Sequence, residues 1–335
     1  MRTAGTISRR TLLVIAATVL AIGLTACKGS AGGGTDHKEP GKGARKGMNT
    51  YYIGRFSIDV PAEMKEAART HEFRYAQIEE FLWPQNMDRE EARKEVWAKR
   101  IAEINSISPP KGKKKTIIEE KELSGIGKKA KAVFYYRSDT ADDEGFWDLL
   151  VDYGNVGVWF KFRGLLEAKE EMLAWISDIA RSYNNSRQAK DNSFHTALGN
   201  LSLPYFEQES SHVRFEGHPL DLMLSIEMTE THSVEETGLV DRLKTAIATN
   251  FAPTVDVEQV RARKRTVAGL PGEEIVSVMS DKDGTIIDFG WEYAGKEDSG
   301  EHPEIQIIME APEGKLDEKL RIWDSTLDSM KPLYR

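Results

Sequence analysis

The chain has 335 residues, is 40% hydrophobic and carries a formal charge of −8. The charge is uneven: residues 191–335 hold 14 basic against 28 acidic side chains, whereas residues 49–190 balance at 24 of each. An acidic half repels phosphate, which argues against nucleic acid and against docking on anionic lipid; it suits solubility or a basic protein partner.

The first 26 residues read as a leader. Arg2, Arg9 and Arg10 form a basic start, and Thr11 to Gly23 is a 13-residue apolar core, too short for a comfortable membrane span. Leu24-Thr25-Ala26-Cys27 follows and holds the only cysteine in the chain. The pattern resembles the bacterial lipoprotein box, so Cys27 is the expected lipid-attachment residue and residues 1–26 the expected signal peptide. Ser8-Arg9-Arg10-Thr11-Leu12-Leu13 also resembles a twin-arginine signal. Two or more acyl chains anchor stably, each buried CH₂ contributing about 0.8 kcal/mol. Lys28 in place of Asp after the cysteine favours the outer membrane by resemblance to the Gram-negative sorting rule. Residues 27–48 hold seven glycines after the cysteine and read as a flexible tether. Localisation is therefore expected to be periplasmic and lipid-anchored.

The remaining 287 residues suggest two domains, and their patterning repeats. Phe56-Ser57-Ile58-Asp59-Val60-Pro61 alternates and ends in proline; Leu201-Ser202-Leu203-Pro204 does the same 143 residues later. A strand-like stretch follows each, His71 to Trp83 and His212 to Met228, the second broken near Gly217-His218-Pro219. A helix comes next in each half. Asp88-Arg89-Glu90-Glu91 opens the first, and Ser233-Val234-Glu235-Glu236 opens the second as a capping box. Val96 and Val240 lie 144 apart on their apolar stripes, as do Gly125 and Gly269 in the following turns. Two further strands and a closing amphipathic helix complete each half, with Trp175 and Trp323 in the closing helices. The expectation is an α+β fold of two tandem similar domains, each ββαββββα. Each domain has a mostly antiparallel sheet of five or six strands with two helices covering one face. The boundaries are 49–186 for the first domain, 187–193 for a linker and 194–335 for the acidic second domain.

No catalytic pattern stands out. The chain lacks Gly-x-Ser-x-Gly and phosphate-cradling glycine loops, and its cysteine is assigned to the anchor. No two of the seven histidines are four apart, and Asp281-x-Asp283-Gly284 sets its glycine too early for a calcium loop. No catalytic residue, metal, cofactor or small-molecule substrate is therefore expected. The tryptophans read as core.

Tyr52-Ile53-Gly54-Arg55-Phe56-Ser57-Ile58-Asp59-Val60-Pro61, the Leu201-Ser202-Leu203-Pro204 opening and Phe215-Glu216-Gly217 resemble the cognate immunity proteins of type VI secretion phospholipase effectors, the Tle-type lipases. The resemblance spans residues 49–335. It implies a periplasmic lipoprotein with no enzyme activity that binds a cognate effector lipase and occludes it, two domains closing on it like a clamp. Binding side chains concentrate on loop tips. The candidates are Asp142, Asp143 and Glu144 in the first domain, with Asp281, Lys282, Asp283, Glu297 and Asp298 in the second. An envelope structural or assembly lipoprotein stays open as an alternative, and behind it a hydrolase with a carboxylate site.

Overall fold

The computed structural model describes residues 46–334 except 189, 236 and 247–254. Cys27, the leader and most of the tether lie outside the described residues. The first element among the described residues is β1 (Met48–Ile53), which pairs with β2 (Phe56–Pro61). Next come β3 (Lys65–Phe73), β4 (Ala76–Leu82), α1 (Arg89–Asn105), β5 (Ile117–Leu123), β6 (Lys129–Ser138), β7 (Ala141–Asp152), β8 (Val156–Leu165) and α2 (Lys169–Ser182). Three two-residue strands follow: β9 (Tyr183–Asn184), β10 (Phe194–His195) and β11 (Asn200–Leu201). Then come β12 (Glu209–Glu216), β13 (Met223–Thr229), α3 (Leu239–Ala246), β14 (Asp256–Val267), β15 (Leu270–Asp281), β16 (Gly284–Tyr293), β17 (Glu304–Pro312), α4 (Leu316–Leu327) and β18 (Lys331–Pro332).

The fold is α+β and antiparallel, with one difference from the expected pair of sheets. Twelve strands form a single sheet in the order β14-β15-β16-β17-β13-β12-β3-β4-β8-β7-β6-β5. From its centre outward the strand order is the same on both sides: β3-β4-β8-β7-β6-β5 on one, β12-β13-β17-β16-β15-β14 on the other. The halves join edge to edge through β3 and β12, with Ser211 opposite His71 and Val213 opposite Arg69. The stretch from His71 to Trp83 contributes parts of two strands. Arg74 and Tyr75 both take positive φ (51° and 68°) and fold it into a tight hairpin, the backbone that a two-residue turn requires.

The helices lie on opposite faces of the sheet, so the expectation that both cover one face is corrected. Along β7, Trp147, Leu149 and Val151 pack with Met172, Leu173 and Ile176 of α2. Leu150 packs instead with Ala92 of α1, and Val133 and Tyr135 of β6 join Ile104 on that same side. Alternate strand residues point to opposite faces, so a single strand feeds two cores. The second half repeats this. Val276, Phe289 and Trp291 meet Trp323 and Leu327 of α4, whereas Ile275 and Gly290 face Leu239 of α3.

The opening strands cross over. Ile53, Phe56, Ile58, Val60 and Met64 lie at the start of the first repeat, yet they are buried in the core of the second, where β2 packs on α4 and pairs with β18. Phe194 and Leu201 open the second repeat and are buried in the first core, β11 pairing with β9. Each core is completed by a strand from the other repeat. This replaces the picture of two domains hinged on a linker and free to close like a clamp.

The capping box at Ser233 is also corrected. The helix starts at Leu239, and the amide of Val240 donates to Glu273 of β15 (3.1 Å). Asp88 does cap α1, accepting from the amides of Glu90 (2.8 Å) and Glu91 (3.3 Å). Of the stripe expected on α3, Ile247 lies outside the described residues.

Candidate interaction surface

Both repeats contribute to the surface at the seam between β3 and β12. Beneath it, on the α2 and α4 face, the crossing strands cover polar groups. Arg55 reaches Glu209 with two parallel bonds, Nε to Oε2 (2.7 Å) and Nη2 to Oε1 (2.6 Å), both side chains 5% exposed. Burial raises the Glu209 pKa, and the Arg55 hydrogen bonds and charge oppose that rise. His71 Nδ1 lies 2.9 Å from the Ser211 hydroxyl. Burial, then the charge of Arg69, holds His71 well below the usual histidine range, so it is neutral. Gly54, at φ +55°, lets the chain pass within contact of Ser211 and Phe194, where a side chain would crowd both. These groups are enclosed. The small cavity beside them has room for about 20 Å³, roughly one water.

The other face of the seam is open. Along β12 and β13 buried residues alternate with half-buried or exposed ones, β3 is exposed from Lys65 to Ala68, and Thr70, His212 and Glu227 face solvent. Helices α1 and α3 cover this face only over the outer strands. Lys161 pairs with Glu79, and Arg214 with Glu216. Glu304 on β17 is raised by burial and by the neighbouring charges of Glu292, Glu235 and Glu227, a like-charged group on this side.

Where β3 ends, a cluster gathers from both repeats. The guanidinium of Arg74 lies 5.5 Å from the Phe73 ring centroid and 5.6 Å from that of Phe206. It donates to the Pro204 carbonyl (2.6 Å). Trp175 of α2 donates its indole N–H to the Arg74 carbonyl (3.1 Å) and sits 5.6 Å from the Phe206 ring. Tyr75 and Phe206 are 41% and 53% exposed. Burial and then Glu207, by charge and hydrogen bond, raise the Tyr75 phenol, with Glu230 and Glu72 adding to it. Tyr205 donates to Glu230.

The loop-tip candidates do not converge. Asp142, Asp143 and Glu144 sit at the start of β7, where Glu144 is held by Arg137 and Arg163 (2.8 Å each). Asp281, Lys282 and Asp283 form the equivalent hairpin turn between β15 and β16. Eight strand spacings separate the two hairpins, ~38 Å along the sheet. The antiparallel seam also sends them to opposite ends of the strands. Glu297 and Asp298 are different, because they reach the seam. Asp298 lies 2.8 Å from His232 Nδ1, and its amide donates to the Thr231 carbonyl. The Asp298 hydrogen bond raises the His232 pKa. His232 Nε2 is 3.1 Å from the Gln208 side-chain amide. Oxygen and nitrogen atoms of Glu230, His232 and Asp298 lie within 4.8 Å of one another, a set able to ligate a metal, although His232 already engages both ring nitrogens. Reading by loop tips missed Tyr75 and Phe206. The signal for Tyr75 was the Phe-Arg-Tyr-Ala hairpin hidden inside an apparently continuous strand.

Residues 200–332 match the family described as the Tle cognate immunity protein 4 C-terminal domain. No curated protein sequence matches the chain. Among solved structures, the apo immunity protein TplEi of the T6SS of Pseudomonas aeruginosa superposes with a TM-score of 0.70 at 19% identity, covering 85% of this chain and 97% of TplEi. A chain of the Tle4–Tli4 complex superposes with a TM-score of 0.70 at 20% identity, covering 86% and 98%. TplEi complexed with "L" peptide gives a TM-score of 0.66 at 19% identity, covering 85% and 98%.

Proposed function

Because residues 200–332 belong with the Tle cognate immunity protein 4 C-terminal domains, we propose that this chain is an immunity protein that binds a type VI secreted phospholipase effector and blocks it by steric occlusion. The match of residues 200–332 to an immunity domain is the observation that carries the reading. The shared fold with a chain of the Tle4–Tli4 complex supports it. The interlocked cores favour occlusion by a preformed surface over closure of two hinged halves, since moving one half against the other would pull buried strands out of both cores. The protein acts in the periplasm, is lipid-anchored at Cys27 and does no chemistry of its own. An anchor holds the inhibitor at the membrane where a phospholipase works and raises its effective concentration there.

The test is protection. A candidate cognate phospholipase effector is exported to the periplasm with and without this chain. Rescue of growth and a stable purified complex are the expected results, and no rescue with no complex overturns the reading. Cys27→Ala checks the anchor separately: the variant is expected in the soluble periplasmic fraction instead of the membrane.

A further inference from the structure

We infer that the partner docks across the seam with a cationic segment, seated on the rim where β3 ends and β12 begins. This rests on the immunity reading and names the chemistry of the partner. The surface is built from both repeats. Its apolar centres are Tyr75 and Phe206, exposed by 41% and 53%, and Phe206 packs on Arg74 and Trp175. A rigid aromatic ring backed by a buried scaffold is what hot spots use, because little side-chain freedom is lost on binding.

The rim decides the occupant. Glu72 and Glu207 lie near the Tyr75 phenol, Glu297 bridges to Thr231 just past β13, and Glu227 is exposed on β13. Among the described residues no lysine or arginine forms an ion pair with any of the four. Some surface acids elsewhere are matched, as Glu144 is by two arginines and Asp324 by Arg261 and Arg265. An unmatched acidic rim around exposed aromatics attracts lysine and arginine side chains, whose aliphatic stems lie on the rings while the cationic heads meet the carboxylates. It repels acidic segments and anionic lipid headgroups alike.

The experiment measures binding of the purified candidate phospholipase effector to the full chain lacking only the leader and cysteine. Variants are Tyr75→Ala, Phe206→Ala and the double reversal Glu72→Lys with Glu207→Lys. Asp281→Lys with Asp283→Lys serves as a comparison at the distant hairpin, ~24 Å away across five strand spacings and at the opposite end of the strands. Each aromatic variant is expected to bind about tenfold or more weakly. The double reversal is expected to slow association about tenfold at low salt, an effect that fades as salt screens it. The distant pair should bind like the wild type. Because the altered side chains are on the surface, unchanged melting curves show that the fold is intact. Binding by the wild type that the seam variants leave intact overturns this inference alone. Absence of wild-type binding overturns the immunity reading and this inference with it. A chain that self-associates through the same residues, seen as a dimer in sedimentation that Tyr75→Ala dissolves, assigns the face to a second copy and also overturns it.

Discussion

The buried pair Arg55–Glu209 ties the two repeats together across 154 positions of sequence, and its loss should be among the most damaging changes in the chain. Arg55→Met keeps most of the packed stem and removes the charge, leaving the Glu209 carboxylate at 5% exposure without its guanidinium. Breaking one side of such a pair costs about 3–5 kcal/mol. For a domain of this size each kcal/mol lowers the melting temperature by roughly 2–4 °C, so a fall of about 6–20 °C is expected. The pH dependence has a definite sign. Burial already sets the Glu209 pKa above its unfolded value, and removing Arg55 raises it further. The folded state then pays for the charged carboxylate at pH above that raised value. The deficit fades as pH falls toward the unfolded pKa of about 4.3, because protonated Glu209 needs no partner. Urea melts of Arg55→Met, Glu209→Gln and the double variant between pH 5 and 8 measure all of this. The double variant should be less destabilised than the two single losses added together. A deficit below about 1 kcal/mol, or one independent of pH, would refute the assignment of this pair as a buried structural tie.

Three further outcomes follow from the fold. Residues 194–334 expressed alone lack Phe56, Ile58 and Val60 from their core. That fragment should show weak near-UV dichroism, and adding a peptide of residues 46–64 should restore it; a fully packed fragment without the peptide contradicts the strand exchange. Asp288 is buried, and burial together with Glu310 pushes its pKa up to about 7, against about 3.9 when unfolded. Stability should therefore fall as pH rises from about 4 to 7, by at most about 4 kcal/mol, and level off above. Asp288→Asn should remove that slope and melt higher than wild type at pH 8. Asp88→Ala should cost about 1 kcal/mol in chemical denaturation through loss of the α1 cap, with Asp88→Asn close to neutral.

Much of the fold was legible along the chain because its information is local. Alternation marks strands such as Glu209–Glu216, and the periodic stripe of Leu316, Leu320, Trp323 and Leu327 marks a helix. The recurrence of such landmarks 143 to 148 residues apart exposed the duplication without any knowledge of contacts. Buried tryptophans such as Trp147, Trp291 and Trp323 were also readable as core. The hairpin at Arg74-Tyr75 was not, since neither residue type advertises a positive φ.

The sequence by itself determined the element types, the twofold repeat and the acidic character of the second half. Only the tertiary structure decided which core each element serves. Phe56-Ser57-Ile58-Asp59-Val60-Pro61 has the same pattern whether it packs on its own repeat or on the other, because alternation specifies that a face is buried and not what buries it. The same holds for the edges of the two sheets. A strand pattern records which side chains turn inward, whereas the backbone groups that joined β3 to β12 are identical in every residue. The seam, the crossing strands and the composite surface at Tyr75 and Phe206 arise from backbone pairing between segments as far apart in sequence as Phe56 and Pro332.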